Sequence, residues 1–563
     1  MNIRLAERFA VHRADSESGL ALVVVLAVTT MLTLLLVATT SFALNQLRQS
    51  RTDQDWQGAL AAAEGGVDEY LSHLNNDSSY YRWGNQLSPY TTGSTVTLPT
   101  GTSANTAFTA WTPLPGVTNS YFRYDVNTTA YFTTGVIKLR SSGKVGKRIR
   151  TVEVQIKRYS FGDYLYFTNY EEKDPATYST STDSYTPAQA QTKCGNKHAY
   201  EGRVDAVNGV KVGCTIISFG TGDQLNGPIR SNDAIYACGT AFFNGRVTTS
   251  YNPSSGNRWL SCGNGGGNPK FLYSNDPSYA PPLVLPTSVS SLKLQTNPNY
   301  ASPVGCLYSG PTKIVLNANG TMNVTSPWTN TTSVGAAYCG VGNNLPLPIN
   351  GVVYVENVPT PADAYTRSTP PTTGTCANDY GLGYPIANDI TTYGCTNGDI
   401  FVEGTLSGQL TLAAENNIIL TWNITYAGGA SGNDLLGMVA NNWVQIYHPV
   451  TMVGSGSYQS LGIPSHGGAT FTNPTIWGAV LALQHSIMLQ NWDKGSLLGY
   501  SNMNGAMGMN YRGVMGITGQ SGTTKNYTYD SRLDYASPPH FINPVQASFG
   551  AQLWSEITPA YTS

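Results

Sequence analysis

The chain has 563 residues, a net charge of -2 and only 11% charged residues, against roughly 25% in an average soluble protein. That balance offers no basic field to attract nucleic acid, so a nucleic-acid partner is excluded. Polarity comes instead from Thr, Ser, Asn, 59 Gly and 35 Tyr, a mixture that suits strands joined by tight turns and suits an all-helical protein badly.

Residues 1–19 read as a short charged leader, with Arg4, Arg8 and Arg13 set against Glu7, Asp15 and Glu17. Leu20 to Leu44 then runs for 25 residues without a charge. As a helix it measures about 37 Å, enough to cross a ~30 Å hydrocarbon core with some tilt. A cleavable secretory signal has a shorter apolar stretch, about 7–15 residues, and a small-residue cleavage site. Leu44-Asn45-Gln46-Leu47 is a poor site of that kind, so a transmembrane helix over residues 20–44 is expected. Arg48 and Arg51 follow it, and charge alone leans only weakly towards the N-terminus inside.

From Trp56 to Leu74 the apolar residues recur at helical spacing: Leu60, Ala63, Val67, Tyr70 or Leu71, and Leu74. Glu64, Asp68 and Glu69 take the other positions. This pattern predicts an amphipathic helix that continues out of the bilayer with its apolar face on the body. Gly65-Gly66 is a point where it would bend or weaken, and Asn75-Asn76-Asp77-Ser78 ends it.

The leader ends in Glu17-Ser18-Gly19, the apolar helix follows directly, and the next segment reads ALAAAEGGVDEYL from Ala59 to Leu71. Together these resemble the N-terminal module of PilX-type minor pilins of type IV pilus systems. The resemblance implies cleavage after Gly19 by a prepilin peptidase, with Leu20 as the first mature residue. It also implies other pilins and the pilus assembly machinery as partners, the apolar helix packing in a filament core. Most major pilins carry Glu at the fifth mature position, where it pairs with the new amine; here that position is Val24. The K-type pseudopilins of type II secretion, placed at a filament tip, also lack this Glu. The resemblance thus implies a tip, priming or accessory role, not that of a repeating subunit. An uncut leader would leave the protein as a membrane anchor.

Residues 76–160 are expected to form a small β-subdomain, with strands at Tyr121–Val126, Ala130–Leu139 and Thr151–Arg158. The last alternates, Val152, Val154 and Ile156 on one face and Glu153, Gln155 and Lys157 on the other. Ser141-Ser142-Gly143 and the basic run Lys144 to Arg150 read as a solvated turn. A strand pair here, ending in the stretch Phe161 to Pro175, again resembles the segment after the helix in PilX-like proteins. Residues 161–224 show little periodicity and read as a loop-rich linker.

Residues 225–525 repeat one theme: a Gly or Asn turn leads into a short strand of alternating apolar residues. GDIFVEGTLSGQLTLAAENNIILTWNITY, from Gly398, holds four such strands. The theme fits a sandwich or a solenoid; tight ladders of this kind favour a parallel β-helix whose inward Val, Ile and Leu stack between coils. The fold class expected is therefore mainly β with a long N-terminal helix, the body β-solenoid-like with inserted loops at 251–305 and 360–395. Residues 526–563 form a C-terminal segment. Stretches such as GPIRSNDAIYACGTAFFNGRVTTS, DLLGMVANNWVQIYHPV and YDSRLDYASPPHFINPVQASFG resemble, as a set, large actinobacterial-type pilus-assembly proteins with a PilX-like N-terminus.

The eight cysteines are Cys194, Cys214, Cys238, Cys262, Cys306, Cys339, Cys376 and Cys395. None forms a CxxC pair, and no histidine cluster lies beside them, so a zinc site is not expected. In an exported chain they read as disulfides, the alternative being buried thiols. Spacing does not fix connectivity; neighbour pairing is only the simplest choice. The cluster also favours a body outside the cytoplasm.

No GxxxxGK[ST], HExxH or convincing GxSxG appears, and no catalytic residue or cofactor is assigned. His448 and His485 read as structural. Surface carboxylates able to cleave a polysaccharide are sparse: Asp233, Asp399, Glu403, Glu415 and Asp434, with Glu403 and Glu415 expected to stack on one face. The competing class is a membrane-anchored adhesin or polysaccharide-binding protein, using loop-tip aromatics such as Tyr178, Tyr185 and Trp259. The fate of the Gly19–Leu20 bond separates the two readings.

Overall fold

The computed structural model describes residues 18–561 apart from 78, 102–103, 132–134, 159, 181, 207–212, 262–265, 275, 302, 331–338, 364, 369–380 and 545–547. A single helix, α1, runs unbroken over Ser18–Asn76. Its lower part docks through Ala59, Ala62, Ala63, Val67, Tyr70 and Leu74, all buried. The Gly65-Gly66 pair does not bend it. These glycines allow close approach instead: a Cβ on Gly66 would run into Ser141 Oγ and the ring of Phe122, and one on Gly65 into Leu114.

The docking partner is an antiparallel sheet of β1 (Thr112–Pro113), β2 (Ser120–Asn127), β3 (Val136–Val145) and β4 (Arg148–Arg158), completed by the chain's last strand, Phe549–Ile557, on β4. Val152, Val154 and Ile156 of β4 face the helix, as their alternation predicts. One expectation is corrected. Ser141-Ser142-Gly143 is not a turn but the buried middle of β3, where Gly143 lets the backbone of α1 pass against the strand; the turn falls at Gly146-Lys147. Lys157 lies near the end of β4. It is buried, paired with Asp163 at 3.0 Å and donating to the Leu533 carbonyl.

The body is inserted between β4 and the last strand. Residues 161–224, expected to be a linker, contain β5 (Tyr166–Lys173), which lies in the middle of the body. Parallel pairing stacks the residues into three apolar columns. One reads Cys306, Val353, Leu412, Met438, Val480, Met507, Tyr166, Ile229, Val247. A second reads Ile314, Val402, Leu420, Ile446, Leu489. The third runs Ile424, Ile476, Met503, Tyr527, Leu225, Phe243, Phe271. These side chains form one continuous core.

Chain order and spatial order differ. From β5 the chain climbs to Ser278–Tyr279, crosses to the far end at Cys306–Ser309, and winds back until Leu497–Arg512 pairs with β5. An antiparallel hairpin, Thr312–Asn317 with Thr321–Thr325, sits at that far end. The crossing segment does not merely decorate the body, as expected of an insertion at 251–305. Val289 and Leu292 join Leu533, Phe541 and Ile542 in a second core laid over the outer face of the first column's strands.

Candidate functional site

The upper part of α1 is not covered by any other part of the described residues. Every residue from 20 to 51 is exposed, including Leu20 at 74% and Leu34 at 71%. The segment is long and apolar enough to cross a membrane. Its polar groups are satisfied internally. Thr30, Thr33, Thr39 and Thr40 each donate a hydroxyl to the carbonyl four residues earlier, at 2.6–2.9 Å, which removes the cost of carrying them into hydrocarbon. Gly19 and Leu20 lie in the first turn of α1, and the leader before Ser18 is outside the described residues. Val24 is exposed and brings no carboxylate.

The base of the helix is pinned by polar contacts that periodicity alone does not reveal. Glu69 accepts from Tyr124 Oη at 2.8 Å and from Asn105 Nδ2 at 3.0 Å. Arg150 holds Glu556 of the last strand through two 2.6 Å contacts, and its guanidinium lies 4.8 Å from the Trp56 ring centre. Helix, sheet and C-terminus are thus locked into one unit.

The carboxylates singled out from sequence form no acid–base pair. Glu403 and Glu415 lie on different ladders. Glu403 is buried, accepting from Thr421 at 2.8 Å and lying 3.1 Å from His466, whereas Glu415 accepts from the Asn357 amide at 2.7 Å. Asp434 caps the Gly408 and Gly428 amides, both at 2.7 Å. Asp233 binds Arg203 at 2.5 Å and accepts from the Ala199 amide. Asp399 is fully buried; one oxygen accepts from Asn416 and Asn417 and the other has no hydrogen-bond donor. Burial pushes its carboxyl up to about 7.

Tyr178 is not at a loop tip: it is buried, its oxygen accepting from the Thr215 amide at 2.7 Å, while Tyr185 and Trp259 are only partly exposed. His448 is buried, 2.9 Å from Ser460 Oγ, and burial holds its ring below the usual histidine range. His485 stacks on Trp443 at 3.7 Å and contacts Asp174 at 2.8 Å.

Cys194 is bonded to Cys214 and Cys306 to Cys339. Cys238 and Cys395 are also disulfide-bonded, and Cys262 and Cys376 lie outside the described residues. Glu172 is the functional-looking residue that sequence reasoning missed. It is buried against Cys194 and Cys214, with neither oxygen hydrogen-bonded and Arg203 Nε 3.7 Å away. Burial pushes it up to about 8, against the pull of Arg203. The three groups have the spacing of a metal site, but both sulfurs are spent in a disulfide and offer no thiolate.

No protein-family model and no curated protein matches the chain. Among solved structures, the competence-associated pilin ComZ from Thermus thermophilus aligns over 89% of this chain and 97% of its own, at 13% identity and a TM-score of 0.25.

Proposed function

We propose that this protein is a PilX-like, pilin-type subunit or accessory protein of a type IV pilus or related filament, acting in assembly, at a tip or in priming. The observation that carries the reading is the division of α1: an apolar half left exposed among the described residues, and a lower half fixed to a sheet that Phe549–Ile557 closes. An apolar helix left wholly exposed needs lipid or the helices of other subunits around it. The body would then stand outside the cytoplasm, with residues 20–44 in the membrane before assembly and the N-terminus inside. We read the body as a parallel β-solenoid, supported by its three parallel columns.

Val24 and the bulk inserted beyond β4 favour a tip or priming position over a repeating one. Other pilins, the assembly machinery and the prepilin peptidase are the partners this reading requires. It assigns the chain no catalysis; Asp233, Glu403 and Asp434, three of the carboxylates singled out from sequence, are engaged by a cation, hydroxyls and amides.

The test is to co-express the protein with its host's prepilin peptidase and sequence the N-terminus of the membrane-extracted product. A start at Leu20 supports the reading. A start at Met1 or Asn2, with the peptidase active on a control pilin, removes it and leaves an anchored surface protein.

A further inference from the structure

A cleft of about 670 Å³ opens on the body where the two arms of the chain meet. Six of its lining residues are carboxamides: Asn169, Gln191, Asn196, Asn232, Gln484 and Asn510. Three of them form a row across successive strands. Asn169 donates to Asn510 Oδ1, and Asn232 donates to Asn169 Oδ1, each at 2.9 Å. With strands ~4.8 Å apart, that row extends about 10 Å.

The rings among the lining residues are Tyr511, His198 and His485, and Tyr170 and Tyr200 stack behind the first two. Tyr511 stacks on Tyr170 at 5.2 Å, Tyr170 on His198 at 4.6 Å, and His198 on Tyr200 at 4.9 Å. The opposite wall is residues 282–287, rich in Pro, Leu and Val. Among the described residues, no Asp, Glu, Lys or Arg lines the cleft. The two histidines in it are already engaged, His198 by Glu201 and His485 by Asp174.

We propose that this cleft binds a neutral oligosaccharide. A carboxamide offers a donor and an acceptor side by side, which matches adjacent hydroxyls of a sugar ring. Flat rings and an apolar wall match the C–H faces of the same ring. An anionic ligand would find no cation among the described lining residues. Asn169, Asn232, Asn510 and Gln484 already bond one another or the Leu283, Gln484 and Thr287 backbone, but a lipid chain would still cover the exposed carboxamides of Gln191 and Asn196 without pairing them. The site takes residues from both arms, so it exists only when Leu497–Arg512 is paired with β5. The proposal goes beyond an assembly role and does not depend on it: it concerns the body alone, and cleavage at Gly19 has no bearing on the outcome.

The experiment uses the full chain in lauryldimethylamine oxide, a detergent without a sugar headgroup. Maltotriose, cellotriose and triacetylchitotriose are titrated by calorimetry and by saturation-transfer NMR. At least one is expected to bind saturably. Gln191→Trp, which fills the cleft from an exposed helix position, and Gln484→Ala, which trims it, should each weaken that binding at least about tenfold. Thr518→Trp, in a separate cleft of about 700 Å³, should leave it unchanged. Absence of binding by all three sugars, binding that survives Gln191→Trp, or equal weakening by Thr518→Trp would each overturn the proposal. So would displacement of the bound sugar by an uncharged extended peptide at equal concentration, which would make the cleft a peptide groove.

Discussion

Arg512 Nη1 lies 2.6 Å from Glu171 Oε2, two buried charges that are 341 residues apart in the chain. They join the last long strand of the returning arm to β5, where that arm began. The Arg512 guanidinium also sits 3.6 Å from the Phe219 ring centre. Nearby, Lys525 bonds Asp223 at 2.9 Å, and Asn169 bonds Asn510 at 2.9 Å. Apolar columns run through the whole stack; at this closure the protein adds buried paired charges, which tolerate fewer wrong registers.

Removing one partner of that pair strands the other. Arg512→Met should therefore cost roughly 3–5 kcal/mol, whereas the double change Arg512→Met with Glu171→Met should recover much of it. Urea unfolding of the four proteins of the double-mutant cycle measures this. Additive losses would show that the pair does not couple the two arms.

The docking of α1 rests on Gly143. A Cβ there would collide with the Ala59 carbonyl and the Ala63 amide, both backbone atoms that cannot turn aside. Gly143→Ala is expected to lift the helix base off the sheet and cost about 1–3 kcal/mol or more. Limited proteolysis within residues 50–76 should become faster, while the body keeps its cleavage pattern. Unchanged proteolysis would mean that helix and sheet are not held by this contact.

Asp399 makes stability depend on pH. Its folded carboxyl is pushed up to about 7 from the ordinary 3.8. A raised value means that the neutral form suits the fold. The contribution is fully present below about pH 4 and is lost as pH rises through 7. Asp399→Asn stays neutral throughout and keeps an oxygen to accept from Asn416 and Asn417. It should melt close to the wild type at pH 4.5 and higher than the wild type at pH 8. Equal melting temperatures at pH 8 would mean that the buried carboxylate is not strained.

Much of this fold could be read from local pattern because local pattern is what builds it. In GDIFVEGTLSGQLTLAAENNIIL, Val402, Leu412 and Leu420 stand in the columns and Ile400, Leu410 and Ile418 join the same core, so apolar patterning marks the strands at Ile400–Leu406, Gln409–Ala414 and Ile418–Tyr426. The apolar run of α1 is equally direct. What alternation does not encode is which strand lies beside which. β5 and Leu497–Arg512 carry the same inward code as their neighbours, and nothing in either names the other. The last strand, Phe549–Ile557, is mostly exposed and so lacks a strong pattern, yet it closes the sheet under α1. Tyr178 was misplaced for a related reason: it is buried beside a partner distant in sequence, Thr215. The carboxamides of the cleft were hidden for the same reason, since they come together only when the two arms close.

The disulfide Cys194–Cys214 gives a last test, because it ties down the segment between β5 and the strands that follow. It closes a span of 20 residues, for which the chain-entropy account gives about 3 kcal/mol. The tied segment carries Asn196 and His198 of the cleft, with Gln191 just before it, and Arg203, which binds Asp233 and Asp205. Replacing both cysteines by alanine should lower stability by roughly that amount and raise amide exchange over residues 186–206. Exchange in Ile400–Tyr426, which packs in the same core but is not tied by this bond, should change only through the global loss. If protection fell equally in both regions, the bond would be stabilising the whole body and not the wall of the cleft, and sugar binding should then survive its removal at low temperature.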